Sequence, residues 1–489
     1  MSKKVIVLGA GVTGMSVAAY LALNGFEVEI FEKNDSCGGR ARHFQADGFT
    51  FDRGSSWYCL PEIINEFFKV FDHSYTDFFS LKETQPTHRI YFDTDDFIDI
   101  SLKPGEMEKL FGTLEKNGDQ NLFRYKNHAK TYYNKLVKEF QNVNSYHEVI
   151  RHFRSSLLSR WINSHNRIIS RYFDNPKIIK ILNFLTSYSG LGLNNESNWI
   201  LPANFTLLDA GYKYPDNGFY KLIEALESIL RKLKVLIYCS SSVESFDIIN
   251  NKVAGIITHG KTFHADIFIS TVDYSYTEQL LPREFRNYNE NYWDMRKSGS
   301  STMIYFIGFD KIIKNIAPIT TVLKKKSLFN LPMNKSDFGG HTNTIYITSP
   351  SKLDEALAPK GKDSLIIRMT VPIGIEDTGK MRGHYYFQIL EYLEQLIGES
   401  LSDHVIYKKS YSRTDFEDDR ITDPVKYTYW LKSRSMFGSS RLKIKNKHLH
   451  NLFYIELPVF PGSGISSALF TGKIAAYEIM RTSELINYE

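Results

Sequence analysis

Residues 3–44 read KKVIVLGAGVTGMSVAAYLALNGFEVEIFEKNDSCGGRARHF, and no other stretch constrains the fold as tightly. Val5 to Leu8 form an apolar run suited to a buried parallel strand. Gly9, Gly11 and Gly14 follow at the GxGxxG spacing, where a helix would start. Each glycine has its own task. Gly9 permits the tight turn, Gly11 lets backbone approach a pyrophosphate, and Gly14 allows close helix–strand packing. The helix N-terminus then offers unpaired N–H groups and a partial positive charge to phosphates. Glu29-Ile30-Phe31 ends a second strand, and Glu32 follows it, 18 residues after Gly14. A carboxylate there accepts both ribose hydroxyls of an adenosine and repels the extra phosphate of NADP. A bare GxGxxG also fits a glycine-rich turn of an unrelated α/β domain. Here strand, helix, second strand and acid fall in register, so a dinucleotide-binding βαβ unit is the expectation.

At 489 residues the chain exceeds one ordinary core, and two intertwined domains are expected. With 42% apolar and 24% charged residues it is globular rather than disordered. A net charge of +5 is mild for this length and points to no nucleic-acid partner. The 30 tyrosines and 34 phenylalanines suit aromatic-lined cavities, interfaces or simply large cores. Cys37, Cys59 and Cys239 are odd in number and lack metal spacing, which fits a reducing, cytoplasmic setting. The 14 histidines are scattered, so no metal site is expected. Lys3 and Lys4 before an apolar stretch imitate a signal peptide, but glycines interrupt that stretch at strand-to-helix positions. No run approaches the roughly 20 apolar residues of a spanning helix.

Residues 1–75 read as the first nucleotide-binding segment; from 76 to 214 helical patterns and aromatics dominate. FYKLIEALESILRKL (219–233) is amphipathic at helical spacing, and 235–273 reads as several short strands joined by tight turns. Strand-like runs at 302–309, 343–348, 364–373 and 404–411 predict a second sheet, with a helix near 383–397 packed on it. Residues 451–480 read as strand, glycine-rich turn and helix.

Beyond the acid lies Cys37-Gly38-Gly39-Arg40-Ala41, and GFTFDRGSSW occupies 48–57. Both resemble flavoproteins of the amine oxidase and phytoene desaturase type, in which the GGR passes near the flavin. FDNPKIIKILNF (173–184), GYKYPDNGFYKLIEAL (211–226), SPSKLDEALAPKG (349–361) and PGSGISSALFTGK (461–473) extend the likeness over nearly the whole length. The chain thus resembles the bacterial phytoene desaturase family of carotenoid-forming flavoenzymes.

That resemblance implies an α/β fold: a discontinuous Rossmann-like FAD-binding domain (1–75, 215–285 and 445–489) with a second α+β substrate and membrane-facing domain (76–214 and 286–444). It implies FAD as cofactor, held by Gly9, Gly11, Gly14, Glu32, Gly39 and Arg40, by the backbone of Val243 at the adenine, and by Gly462, Gly464 and Ile465 at the closing turn. Gly472 is carried over as a helix packing position. Asp52 and Arg53 lie near the flavin by the same likeness, or else form a turn and salt-bridge pair. Two departures stand out. Glu456 and Val459 replace a glycine-containing strand end and a threonine, and Glu456 either contacts the ribityl chain or crowds the flavin.

The implied reaction is desaturation of a carotenoid precursor such as phytoene, with hydride passing to the flavin and no catalytic base identified. Exposing such a polyene to water costs more than about 20 kcal/mol, so the substrate would be drawn from a bilayer by a protein peripheral to the inner face of the cell membrane. HEVIRHFRSSLLSRWINSHNRIISRYF (147–173) could lie in that interface, with Ile150, Phe153, Leu157, Trp161, Ile168 and Tyr172 on one face. The same pattern fits a helix buried in a protein core. Two other outcomes share the fold: a carotenoid oxygenase or prenyl-lipid saturase, and a catalytically silent relative that binds a lipid or partner.

Overall fold

The computed structural model describes residues 2–54, 61–83, 86–142, 148, 165–186, 205, 208–209, 213–294, 300–323, 344–372, 376–419, 443–455 and 464–485. Strand β1 (Lys4–Leu8), helix α1 (Val12–Leu23) and strand β2 (Glu27–Phe31) form the expected βαβ unit. β1 sits in the middle of a five-stranded sheet in the order Leu452–Tyr454, Ile267–Ser270, β1, β2, Leu236–Tyr238. Every pairing in it is parallel. Three separate stretches of chain therefore build one sheet.

Alternation of side chains explains how both faces of that sheet are covered. Val5, Val7, Val28, Ile30, Ile267 and Ile269 face one way, into a core shared with α1, helix Tyr220–Lys232 and helix Ile465–Leu485. Ile6, Leu8, Phe31 and Phe268 face the other way, against the antiparallel strands Ser245–Ile249, Lys252–Thr258 and Lys261–His264. A parallel sheet buried on both faces needs largely apolar strands, and the buried charge within β2, Glu29, is paired with Lys4 at 2.9 Å.

The second sheet has seven strands, in the order Val405–Tyr411, Ser300–Phe309, Asp363–Pro372, Thr344–Thr348, Ile319–Leu323, His88–Asp93, Asp96–Ile100. It includes the four runs expected from sequence. Met303, Tyr305, Ile307 and Phe309 point into a core with Tyr385, Ile389 and Leu393 of helix Gly379–Ile397, so that helix packs on the sheet as expected. Ile304 and Phe306 on the opposite face meet Phe49 and Phe51, which ties this sheet to the stretch following the glycine loops.

Of the stretch 147–173, residues 147 and 149–164 lie outside the described residues. Its end is helical at His165–Ile169, and Ile168, Ile169 and Phe173 are buried against Phe111, Tyr125 and Ile181. That end is core. Among the described residues no helix is long and apolar enough to cross a membrane.

Candidate functional site

β1 runs into the glycine loop at the sheet's carboxyl edge, where open α/β sheets place their ligands. Gly9 has φ +97°, and a Cβ there would lie 2.9 Å from Val272 Cγ1. At Gly14 a Cβ would stand 2.0 Å from the Gly9 carbonyl oxygen, so only glycine lets α1 start this close to β1. Gly11 differs from both. Its φ is −72°, and a Cβ would meet nothing within 4 Å. The space above Gly11 is open while its neighbours are packed, which is the shape of a ligand cradle.

The second glycine pair closes on the first. Gly38 N donates to Ala10 O at 2.8 Å, and a Cβ on Gly39 (φ +56°) would come within 3.1 Å of Gly11 Cα. Beyond β2 the buried Glu32 carboxylate reaches back to the same loop: Oε2 accepts from Ala10 N at 2.8 Å. Oε1 accepts from Asn34 N at 3.0 Å and from the Asn34 side-chain amide. An ionised carboxylate has about four acceptor positions, so three are filled by this chain and one, on Oε2, is left. Val243 is buried beside Ile6, Leu8 and Phe31, and its carbonyl accepts from Tyr276 Oη at 3.4 Å. Ser241 N and Ser240 N bond the carbonyls of Glu32 and Asn34, both at 2.7 Å, drawing this segment to the end of β2.

The two arginines of GGRAR part company. Arg40 is exposed. Arg42 is 7% exposed, and its Nε donates to Gly39 O at 3.1 Å. Sequence reasoning passed over Arg42 because no motif spacing marks it; its surroundings come from Arg53 and, far along the chain, Asp419. Asp52 and Arg53 do not pair with each other. Arg53 Nη2 bonds Asp419 Oδ2 at 2.7 Å, whereas Asp52 Oδ2 accepts from Tyr214 Oη at 2.5 Å and Phe219 N at 3.1 Å. Asp52 Oδ1 has no partner, and burial pushes this carboxyl above the usual carboxylate range.

At the chain's far end, Gly464 has φ +113° and leads into helix Ile465–Leu485, with Ile465 buried in the core around α1. A Cβ on Gly472 would lie 2.5 Å from Ser16 Cβ and 2.8 Å from Val17 N, so the crossing of this helix with α1 depends on that glycine. Ser16 Oγ donates to Leu469 O at 2.8 Å across the same crossing. Gly462, Glu456 and Val459 lie outside the described residues. Among the described residues no group of histidine, cysteine or carboxylate side chains could hold a metal ion.

An open glycine cradle, a buried acid at the end of β2 and a buried arginine beside them fit a dinucleotide. The comparisons agree. The family model for flavin containing amine oxidoreductases matches residues 12–480. Carotenoid 3,4-desaturase from Haloarcula japonica is 26% identical over 494 residues, covering 96% of this chain and 97% of that protein. The 4,4'-diapophytoene desaturase of Staphylococcus aureus is 25% identical over 513 residues, covering 98% and 99%. Among solved structures, an oxidoreductase from Methanosarcina mazei superposes with a TM-score of 0.62 at 18% identity, covering 98% of this chain and 100% of that one. The chain belongs to the flavin containing amine oxidoreductases and is an FAD-dependent oxidoreductase.

Proposed function

We propose that this protein desaturates a carotenoid precursor such as phytoene. The observation that carries the substrate class is the end-to-end similarity to two carotenoid-pathway desaturases. In this reading segments 1–75, 215–285 and 445–489 hold FAD, and 76–214 with 286–444 hold the substrate and face the membrane. The described strands support that division, since the five-stranded sheet draws only on the first set and the seven-stranded sheet only on the second.

Bound FAD would supply the redox chemistry, accepting the two electrons and two hydrogens lost from adjacent carbons of the polyene. The protein's share is binding, orientation and exclusion of water. Gly11, Gly39 and the N-terminal N–H groups of α1 would hold the diphosphate. The open position on Glu32 Oε2 would receive one ribose hydroxyl rather than the two expected from the sequence, because Ala10 and Asn34 fill the other positions, and the Val243 backbone would meet the adenine. Arg40, Gly462, Gly464 and Ile465 complete the cofactor contacts. An apolar polyene has no polar handle, so no catalytic base is assigned. Its insolubility supports an enzyme that works at a membrane surface, in this reading the inner face of the cell membrane.

Expression in a phytoene-accumulating host, with the pigments resolved by chromatography, tests this. New, longer chromophores are expected. Unchanged phytoene contradicts the reading, and oxygenated or saturated products would move the chain to a different carotenoid or prenyl-lipid reaction on the same fold.

A further inference from the structure

Arg42 is a buried cation whose hydrogen bonding is incomplete. Its side chain is 8% exposed, Nε is committed to Gly39 O, and Nη2 has no hydrogen-bond partner. Its nearest carboxylate is Asp419, at 3.7 Å from Nη2 and already engaged by Arg53 at 2.7 Å and by Tyr411 Oη at 2.5 Å. Two guanidinium groups thus share one carboxylate. Arginine does not shed its proton in proteins, so Arg42 keeps a buried positive charge that this shared carboxylate does not fully neutralise. Leaving a buried charged donor unsatisfied is costly, and the missing partner is an anion.

The position of that missing anion follows from the loops. The carbonyl that receives Arg42 Nε belongs to Gly39, and a Cβ on Gly39 would come within 3.1 Å of Gly11 Cα. The guanidinium therefore lies one residue away from the open cradle, and it is close enough to Glu32 to feel that carboxylate. Arg40, the arginine that the motif advertises, is exposed on the same turn.

We infer that Arg42 donates from Nη2 to the diphosphate of bound FAD. This rests on the diphosphate lying at Gly11, as proposed above. The bond would be charge-assisted, and it would also complete the neutralisation of the two arginines.

The test compares apo-protein melting with nucleotide affinity for Arg42→Met, using FAD, ADP and adenosine as probes. Methionine fills the space without the charge. The apo protein is expected to melt at the wild-type temperature or higher, while the dissociation constants for FAD and ADP rise at least tenfold and that for adenosine stays within threefold. A purely structural arginine gives the opposite signs: a lower apo melting temperature with nucleotide affinity unchanged, or equal losses for ADP and adenosine. Either result overturns the inference. Asp419→Asn adds a second arm. It should leave ADP affinity unchanged or tighter, and a loss matching that of Arg42→Met would show that the ion pair alone matters and overturn the inference. Gly11→Val separates this inference from the placement it rests on. If that variant still binds ADP while Arg42→Met does not, the placement at Gly11 fails and Arg42 remains an anion contact.

Discussion

The backbone N–H of Ala10 donates to Glu32 Oε2 at 2.8 Å, so the acid at the end of β2 holds the glycine loop at the end of β1. Glu32 is therefore part of the scaffold as well as a candidate ribose contact. Glu32→Ala should lower apo stability by roughly 1–3 kcal/mol, because the N–H groups of Ala10 and Asn34 lose a charged acceptor in a buried site. Denaturant unfolding of the apo protein measures this. The same variant should weaken FAD binding by at least tenfold in a fluorescence titration.

The three fingerprint glycines should separate by variant. Gly11→Val places its side chain in open space, so apo stability should stay within about 1 kcal/mol of wild type while FAD retention is lost. Gly14→Ala puts a methyl group 2.0 Å from the Gly9 carbonyl oxygen and should destabilise the apo protein by about 1–3 kcal/mol or more. Thermal melts of apo and FAD-loaded protein distinguish the two effects. Equal apo melting temperatures for both variants would contradict the packing described here.

The helix crossing at Gly472 and Ser16 predicts a long-range effect. Gly472→Val would push helix Ile465–Leu485 away from α1, since even a Cβ approaches Val17 N to 2.8 Å. Stability should fall by about 1–3 kcal/mol or more. FAD should also dissociate faster, because the turn before that helix is a proposed flavin contact. Stopped-flow release of flavin fluorescence reads the second effect directly.

Asp52 predicts a pH dependence of stability. Burial raises its folded pKa above the unfolded value, so its contribution is fully present below the unfolded pKa and is lost as pH rises through the folded pKa. Asp52→Asn cannot ionise. The stability of Asp52→Asn relative to wild type should therefore increase as pH is raised from 4 to 8. Denaturant midpoints at several pH values check this, and a difference that stays flat or falls would remove the assigned cause.

Much of this was legible in the sequence because the determinants are local. The run Val5 to Leu8, the glycine spacing and Glu32 lie within 28 residues and define β1, α1 and β2 without distant contacts. The second sheet showed itself through apolar runs such as Ser300–Phe309, whose alternate residues enter two different cores. The bond from Ala10 to Glu32 was not legible, since the motif assigns that carboxylate to a ligand and says nothing of its own loop. Arg42 was missed for a related reason: burial under Gly39 and the approach of Asp419 are set by tertiary packing, not by spacing. Residues 147–173 carry an amphipathic pattern that fits an interface or a core. Only the burial of Ile168 and Phe173 shows that its last turn belongs to a core.

An anaerobic spectrum decides whether this chain uses FAD to oxidise a carotenoid precursor. Purified holoprotein is mixed with phytoene in liposomes without oxygen, and the visible band of the oxidised flavin is followed. Bleaching of that band, with a stoichiometric rise of a longer-wavelength polyene, is the predicted result. A flavin band that stays unchanged while phytoene is recovered intact would rule out the desaturase assignment.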